Sequence, residues 1–178
     1  KRGDIGNTAR KYAEAFFDHL NVDAVTLSPY MGRDSILPFI GRNGKWGIVL
    51  GVTSNPGAED FHFLPVAGQR PLYENVIRQV SKWGSSEELM FVVGATRPSV
   101  LSEVRALAPE HFFLVPGIGA QGGDLSAVLE AGLTSDGGLL INSSRGILYA
   151  GKGEDAIAAA RRAAQDMQQA MATVLHSK

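Results

Sequence analysis

Three observations predict an α/β fold built on a parallel sheet for this chain of 178 residues. Short apolar runs rich in β-branched residues alternate with amphipathic helical periods along the whole length. Turns rich in glycine, proline and serine punctuate the alternation. No internal repeat, low-complexity tract or linker interrupts it, so residues 1–178 read as a single domain.

The elements follow in order. Ala9, Tyr12, Ala13, Phe16, Phe17 and Leu20 recur at intervals of three and four, which predicts an amphipathic helix from about Thr8 to Leu20. Val22 to Leu27 is a short strand ending at Ser28-Pro29, and Asp34 to Ile40 a helix interrupted by Pro38. Trp46 to Val52 reads as a buried strand closed by Thr53-Ser54-Asn55-Pro56-Gly57. Ala58 to Pro71 is irregular and Leu72 to Trp83 helical. Leu89 to Ala95 is a strand, and Arg97 to Leu107 a helix with Pro98 in its first turn, where proline is tolerated. Phe112 to Val115 is a strand leading into the glycine-rich Gly117 to Gly123, then a short helix from Leu125 to Ala131. Leu139 to Asn142 is the last strand, followed by the turn Ser143-Ser144-Arg145-Gly146. The final helix, Glu154 to His176, is expected to bury Ile157, Ala160, Ala164, Met167, Met171 and Val174.

A helix thus comes first, then five strand–helix pairs, the pattern of a parallel sheet covered by helices. A (β/α)8 barrel typically takes roughly 250 residues. The pattern is that of an open sheet, or of a barrel lacking its first two units and most of its third strand.

Composition narrows the function. An apolar fraction of 44% with 20% charged residues is that of a packed protein. Seventeen basic residues against eighteen acidic ones leave a net charge of −1. That balance offers no electrostatic footprint for nucleic acid or an anionic membrane. No apolar run approaches the roughly 18 residues of a membrane span. Zero cysteines exclude disulfides, a thiol nucleophile and Cys-ligated metal, and fit a cytoplasmic protein. The 21 glycines exceed the usual share of roughly 7% and suggest backbone packed close to a ligand.

Candidate chemistry gathers in the turns. Gly117 to Gly123 leads into a helix, and Arg145 follows the next strand. Bare backbone N–H groups at a helix start attract anions, and a guanidinium grips phosphate bidentately. Barrel enzymes often hold phosphate in the loops after their last two strands. Tight turns alone would also explain the glycines, but the two loops together favour phosphate. Gly117-Ile118-Gly119-Ala120-Gln121-Gly122 also fits the dinucleotide pattern G-x-G-x-x-G. It follows three complete strands, however, and the next strand ends in Asn142-Ser143-Ser144-Arg145 without the carboxylate that would hold a ribose.

Lys1 and Asp4 stand three residues apart before the first helix, a spacing that can keep an ammonium charged and aimed. A solvated charged turn is the plainer reading of that pair. Thr53-Ser54-Asn55 offers hydroxyl and amide groups at a strand end, as an ordinary turn also would. The four histidines (His19, His62, His111 and His176) show no metal spacing.

With these pieces in order, the chain resembles the orotidine 5′-phosphate decarboxylase family, more closely its longer bacterial form. The resemblance runs from Lys1 to the C-terminal helix and rests on five motifs in the family's order. These are Lys-Arg-Gly-Asp-Ile-Gly-Asn-Thr (1–8), Asp-Ala-Val-Thr-Leu-Ser-Pro-Tyr-Met-Gly (23–32), Thr-Ser-Asn-Pro-Gly-Ala (53–58), Val-Pro-Gly-Ile-Gly-Ala-Gln-Gly-Gly-Asp (115–124) and Ser-Ser-Arg-Gly-Ile (143–147).

The resemblance implies a (β/α)8 TIM barrel of which this chain covers about the last five to six units. It also implies a homodimer with shared active sites, orotidine 5′-monophosphate as substrate, and neither cofactor nor metal. The family's central motif is Asp-x-Lys-x-x-Asp, so the first aspartate is expected two residues before Lys1, with a further Asp and Lys upstream. Lys1 is then the proton donor, and Asp4 completes a charge network in the neighbouring subunit's site. Ile5 and Thr8 cross the interface, Thr8 towards the ribose. Ser54 meets the pyrimidine, Pro116 lines the wall near the reacting carboxylate, and Gln121, Ser144 and Arg145 hold phosphate. Three other readings stay open: a dinucleotide-dependent oxidoreductase, a sister sugar-phosphate lyase on the same barrel, and a non-catalytic binder of a phosphate ligand.

Overall fold

In the computed structural model, residues 3–119 and 122–176 are described. Lys1 and Gln121, both expected in the site, lie outside them. Five parallel strands form one sheet in the order β1-β2-β5-β6-β7. They are β1 (Ala24–Leu27), β2 (Trp46–Val52), β5 (Leu89–Val93), β6 (Phe112–Pro116) and β7 (Leu139–Asn142). Two-residue strands β3 (Pro65–Val66) and β4 (Arg70–Pro71) pair antiparallel in a separate ladder within the irregular stretch. Among the described residues no strand pairs beyond β1 or β7, so the sheet is open at both edges.

Alternation along the strands separates two faces. Val25, Leu27, Val49, Phe91, Val93, Phe113 and Val115 point to the helical layer and form the main core. Against them pack Tyr73, Ile77 and Val80 of α3 (Leu72–Val80), Leu101 and Val104 of α4 (Pro98–Leu107), and Val128 of α5 (Leu125–Gly132). Ile48, Met90 and Val92 form a second cluster on the other face, joined by Trp46, Leu50, Phe112 and Leu114. Every residue of β5 is buried, as a central strand covered on both faces requires.

The first helix departs from the expected winding. Only α1 (Gly6–Ala13) is α-helical, and Glu14–His19 widens to i→i−5 bonding, closed by Leu20 N–H donating to Ala15 O at 3.0 Å. The wider turn leaves Phe17 buried and Leu20 exposed, which corrects the core assignment of Leu20. Pro38 divides the next helix into α2 (Arg33–Ile36) and a 3-10 turn at Leu37–Phe39, because its ring cannot donate an N–H.

Two expectations fail towards the C-terminus. Ser144–Leu148 is a short helix, α6, rather than a bare turn. In α7 (Ala156–His176) Ile157 is 86% exposed, and Ala159 is the buried residue. The rest of the expected stripe keeps its face: Ala160, Ala164, Met167, Met171 and Val174 are half-buried, and Met167 reaches the main core. No helix among the described residues is long and apolar enough to cross a membrane.

Candidate active site

Each helix runs back along the sheet, so the βα turns all gather at the C-terminal edge of the strands, where parallel α/β sheets hold their ligands. Ser54 follows β2, Gly94 and Arg97 follow β5, Gly117 to Asp124 follow β6, and Ser143 to Arg145 follow β7. Asp4, Ile5 and Thr8 reach the same edge by another route. They stand at the N-terminus of α1, which runs back towards β1, and Gly3 lies against Met31 of the β1 turn.

Neighbouring turns are bonded to one another. Gly94 N–H donates to Val52 O at 2.9 Å, and Ala95 N–H donates to Pro116 O at 3.0 Å. Pro116 pairs in register with Asn142, and Ser143 Oγ donates to Ile118 O at 3.5 Å. The β2, β5, β6 and β7 turns thus form one continuous rim. Pro116, Ile118, Asn142, Ser144 and Arg145 line a shared cavity between the last two strand ends.

The β6 turn is built for glycine. Gly117, Gly119 and Gly122 hold φ of 103°, 70° and 87°, a region that side chains disfavour. Gly123 N–H donates to Gly117 O, and Gly119 N–H donates to Gly123 O, so the turn closes on itself. Asp124 then caps α5 by accepting Ala127 N–H at 2.8 Å. This is not an extended strand–helix turn opening a nucleotide domain, and the dinucleotide reading loses its context.

Arg145 is exposed at the cavity mouth and has no carboxylate or carbonyl partner among the described residues. Ser144 Oγ donates to Asn142 Oδ1 at 3.3 Å, holding the first turn of α6 over the strand end. A free guanidinium beside a hydroxyl and unpaired helix-start N–H groups suits an oxyanion.

The N-terminal cluster is organised differently. Asp4 is half-buried and its Oδ1 accepts Ile5 N–H at 2.8 Å, while Ile5 is 56% exposed and Thr8 is exposed. These residues share the rim, with the Ile5 and Thr8 side chains open to solvent. No group of three or more His, Asp or Glu side chains among the described residues could hold a metal ion.

Sequence reasoning missed a set of residues around Ser54. Thr53 N–H donates to Nδ1 of His62 at 3.3 Å, and Thr53 Oγ1 donates to Asn55 Oδ1 at 2.6 Å. Glu59 pairs with Arg97, whose guanidinium lies 4.4 Å from the Phe63 ring centre. Burial lowers the pKa of the His62 imidazole from its ordinary value. No spacing signal announces these contacts, because they join the irregular stretch to separate strand ends.

A parallel α/β sheet whose C-terminal rim sets an Arg145-lined cavity beside a polar strand end defines a protein of the β/α-barrel class. The chain belongs to the orotidine 5′-phosphate decarboxylase / HUMPS family, whose signature it matches over residues 1–163. It is 49% identical over 175 residues to an orotidine 5′-phosphate decarboxylase of Bacteroides fragilis, covering 98% of this chain and 64% of that protein. A Parabacteroides distasonis protein of the same name is 49% identical over 178 residues, again with 64% of its length matched. The chain therefore spans under two thirds of these relatives. Among solved structures, Leishmania donovani UMP synthase superposes with a TM-score of 0.84 at 47% identity, over 96% of this chain and 38% of that one. Leishmania donovani OMP decarboxylase gives 0.82 at 44% identity, over 96% of this chain and 66% of that one. The five-stranded sheet thus corresponds to part of a barrel.

Proposed function

We propose that this protein decarboxylates orotidine 5′-monophosphate to uridine 5′-monophosphate, in pyrimidine biosynthesis in the cytoplasm. The observation that carries the proposal is the cavity shared by Pro116 and Arg145, which joins a proline wall to a cation unpaired among the described residues, at adjacent strand ends. Breaking the bond from C6 to the carboxylate releases carbon dioxide and leaves the electron pair on C6. The Lys1 ammonium stabilises that charge and then gives C6 its proton, so no organic cofactor or metal is needed.

The other residues position and enclose. Ser54 hydrogen-bonds the amide edge of the pyrimidine, and Pro116 keeps the carboxylate side dry. Arg145, Ser144 and Gln121 hold the phosphate. Asp4 enters the charge network of a second copy's site, with Ile5 crossing the interface and Thr8 approaching that copy's ribose. The family resemblance supports this reading of a homodimer with shared sites.

The test is direct. The intact protein should consume orotidine 5′-monophosphate, with loss of its absorbance and release of carbon dioxide, and chelators should leave the rate unchanged. No turnover would refute the decarboxylase. Turnover abolished by chelators would favour a metal-dependent sister lyase instead.

A further inference from the structure

We propose that the Pro56–Leu64 segment is a brace that fixes the Thr53–Asn55 turn, with His62 as its positioning residue. The inference rests on the decarboxylase reading only for its consequence on substrate, because the brace itself is a matter of contacts.

His62 is held at three points. Its N–H donates to Ala58 O at 2.8 Å, its carbonyl accepts Tyr73 N–H at 3.0 Å, and its Nδ1 accepts Thr53 N–H at 3.3 Å. An imidazole accepting through Nδ1 carries its proton on Nε2 and is neutral. The backbone bonds fix where the ring stands, and the ring fixes where Thr53 stands.

The segment is anchored independently at its far side. Glu59 pairs with Arg97 just beyond β5, and the Arg97 guanidinium covers Phe63. Phe63 meets Tyr73 edge-on at 5.5 Å between ring centres. Leu72 N–H donates to Leu64 O at 2.9 Å, closing the segment onto the start of α3. The brace thus spans from the β2 turn to the β5 turn and to α3, and Ser54 sits between these supports.

A hydroxyl that orients a ring must be placed to within about half an ångström. Within the Thr53–Asn55 turn, Thr53 Oγ1 donates to Asn55 Oδ1. The His62 bond ties the Thr53 end of that turn to the brace, as Ala58 N–H donating to Asn55 O at 3.0 Å ties its other end. Removing the acceptor frees the Thr53 amide and loosens the turn that carries Ser54, which weakens substrate binding more than the chemical step.

The test compares His62→Phe, which keeps a ring but removes the acceptor, with His62→Asn, whose Oδ1 takes the place of Nδ1. In the intact protein, amide hydrogen exchange at Thr53 should rise about fivefold or more in His62→Phe, the scale of one net hydrogen bond. It should return towards wild type in His62→Asn. KM for orotidine 5′-monophosphate should follow the same order, with kcat changing less. Unchanged exchange at Thr53 in His62→Phe overturns the brace, and so does equal damage in the two variants. If exchange changes as expected but wild-type protein has no turnover, the brace stands and the decarboxylase reading falls.

Discussion

Ser54 lies directly on Gly94: a Cβ at Gly94 would meet both the Cβ and the N of Ser54 at 2.7 Å. The β5 turn is therefore the floor on which the candidate base-recognition hydroxyl rests. Gly94→Ala must push Ser54 away, since its neighbours include backbone rather than a flexible chain end. The expected cost is about 1–3 kcal/mol in stability, as for other overpacked sites, read by urea unfolding. With it should come a rise in KM for orotidine 5′-monophosphate at least as large as that of Ser54→Ala. Wild-type kinetics in both variants would remove Ser54 from the site.

At the opposite end of the sheet, Arg105 serves structure alone. Its guanidinium donates to the carbonyls of Ala108, His111, Gly132 and Gly138 at 2.7–3.0 Å and lies 3.7 Å from the Phe113 ring centre. Burial pulls its pKa down to about 10, still charged at neutral pH. Arg105→Met keeps the stem but orphans those carbonyls, and should destabilise by about 2–4 kcal/mol. Arg105→Lys should recover little, because a point ammonium cannot reach carbonyls arranged around a planar fork. Denaturant midpoints of the two variants check both statements.

His111 gives the fold an acid limit. Its ring is buried beside Phe91 with neither nitrogen bonded among the described residues. Burial, and secondarily the Arg105 charge, lower its pKa from the ordinary 6.5. The unfolded chain then binds the proton more readily than the folded one, so stability falls as pH drops below about 6.5 and levels off below the folded value. His62 shifts in the same direction and adds to the effect. His111→Phe should flatten the pH dependence of unfolding in that window, measured by urea midpoints between pH 7 and pH 5. An unchanged slope would assign the acid sensitivity to His62 or to carboxylates.

What was legible in the sequence follows from range. Trp46 to Val52 and Leu139 to Asn142 match their strands end for end, because a short apolar run between turn residues is a local signal. That Pro116 and Arg145 stand at the ends of adjacent strands was legible because strand ends and glycine-rich turns are local too. The wide turn at Glu14–His19 was not, since packing of Phe17 against Phe39 at 6.2 Å between ring centres overrides helical periodicity. Ile157 misled for a related reason: periodicity places the stripe but does not say how far towards the helix start its neighbours cover it. His62, Glu59 and Arg97 were invisible because their partners lie on separate elements.

The phosphate grip carries the last prediction. Ser143 Oγ reaches Ile118 O, so the β6 and β7 turns already touch where Arg145 stands. A dianion between them would be held by the guanidinium on one side and by the glycine-rich turn on the other. Its binding energy comes from a group remote from C6, and it is useful only if it orders the turn and dries the reacting end. Arg145→Ala should then lower kcat/KM for orotidine 5′-monophosphate by about two or more powers of ten, since a charged hydrogen-bonded pair is worth roughly 2–5 kcal/mol. The same variant should discriminate far less between that substrate and orotidine lacking the phosphate, because the truncated substrate never used the grip. Measuring kcat/KM for both substrates in both proteins separates the possibilities. A loss confined to the phosphorylated substrate assigns the grip to Arg145, whereas an equal loss on both would make Arg145 a structural support of α6.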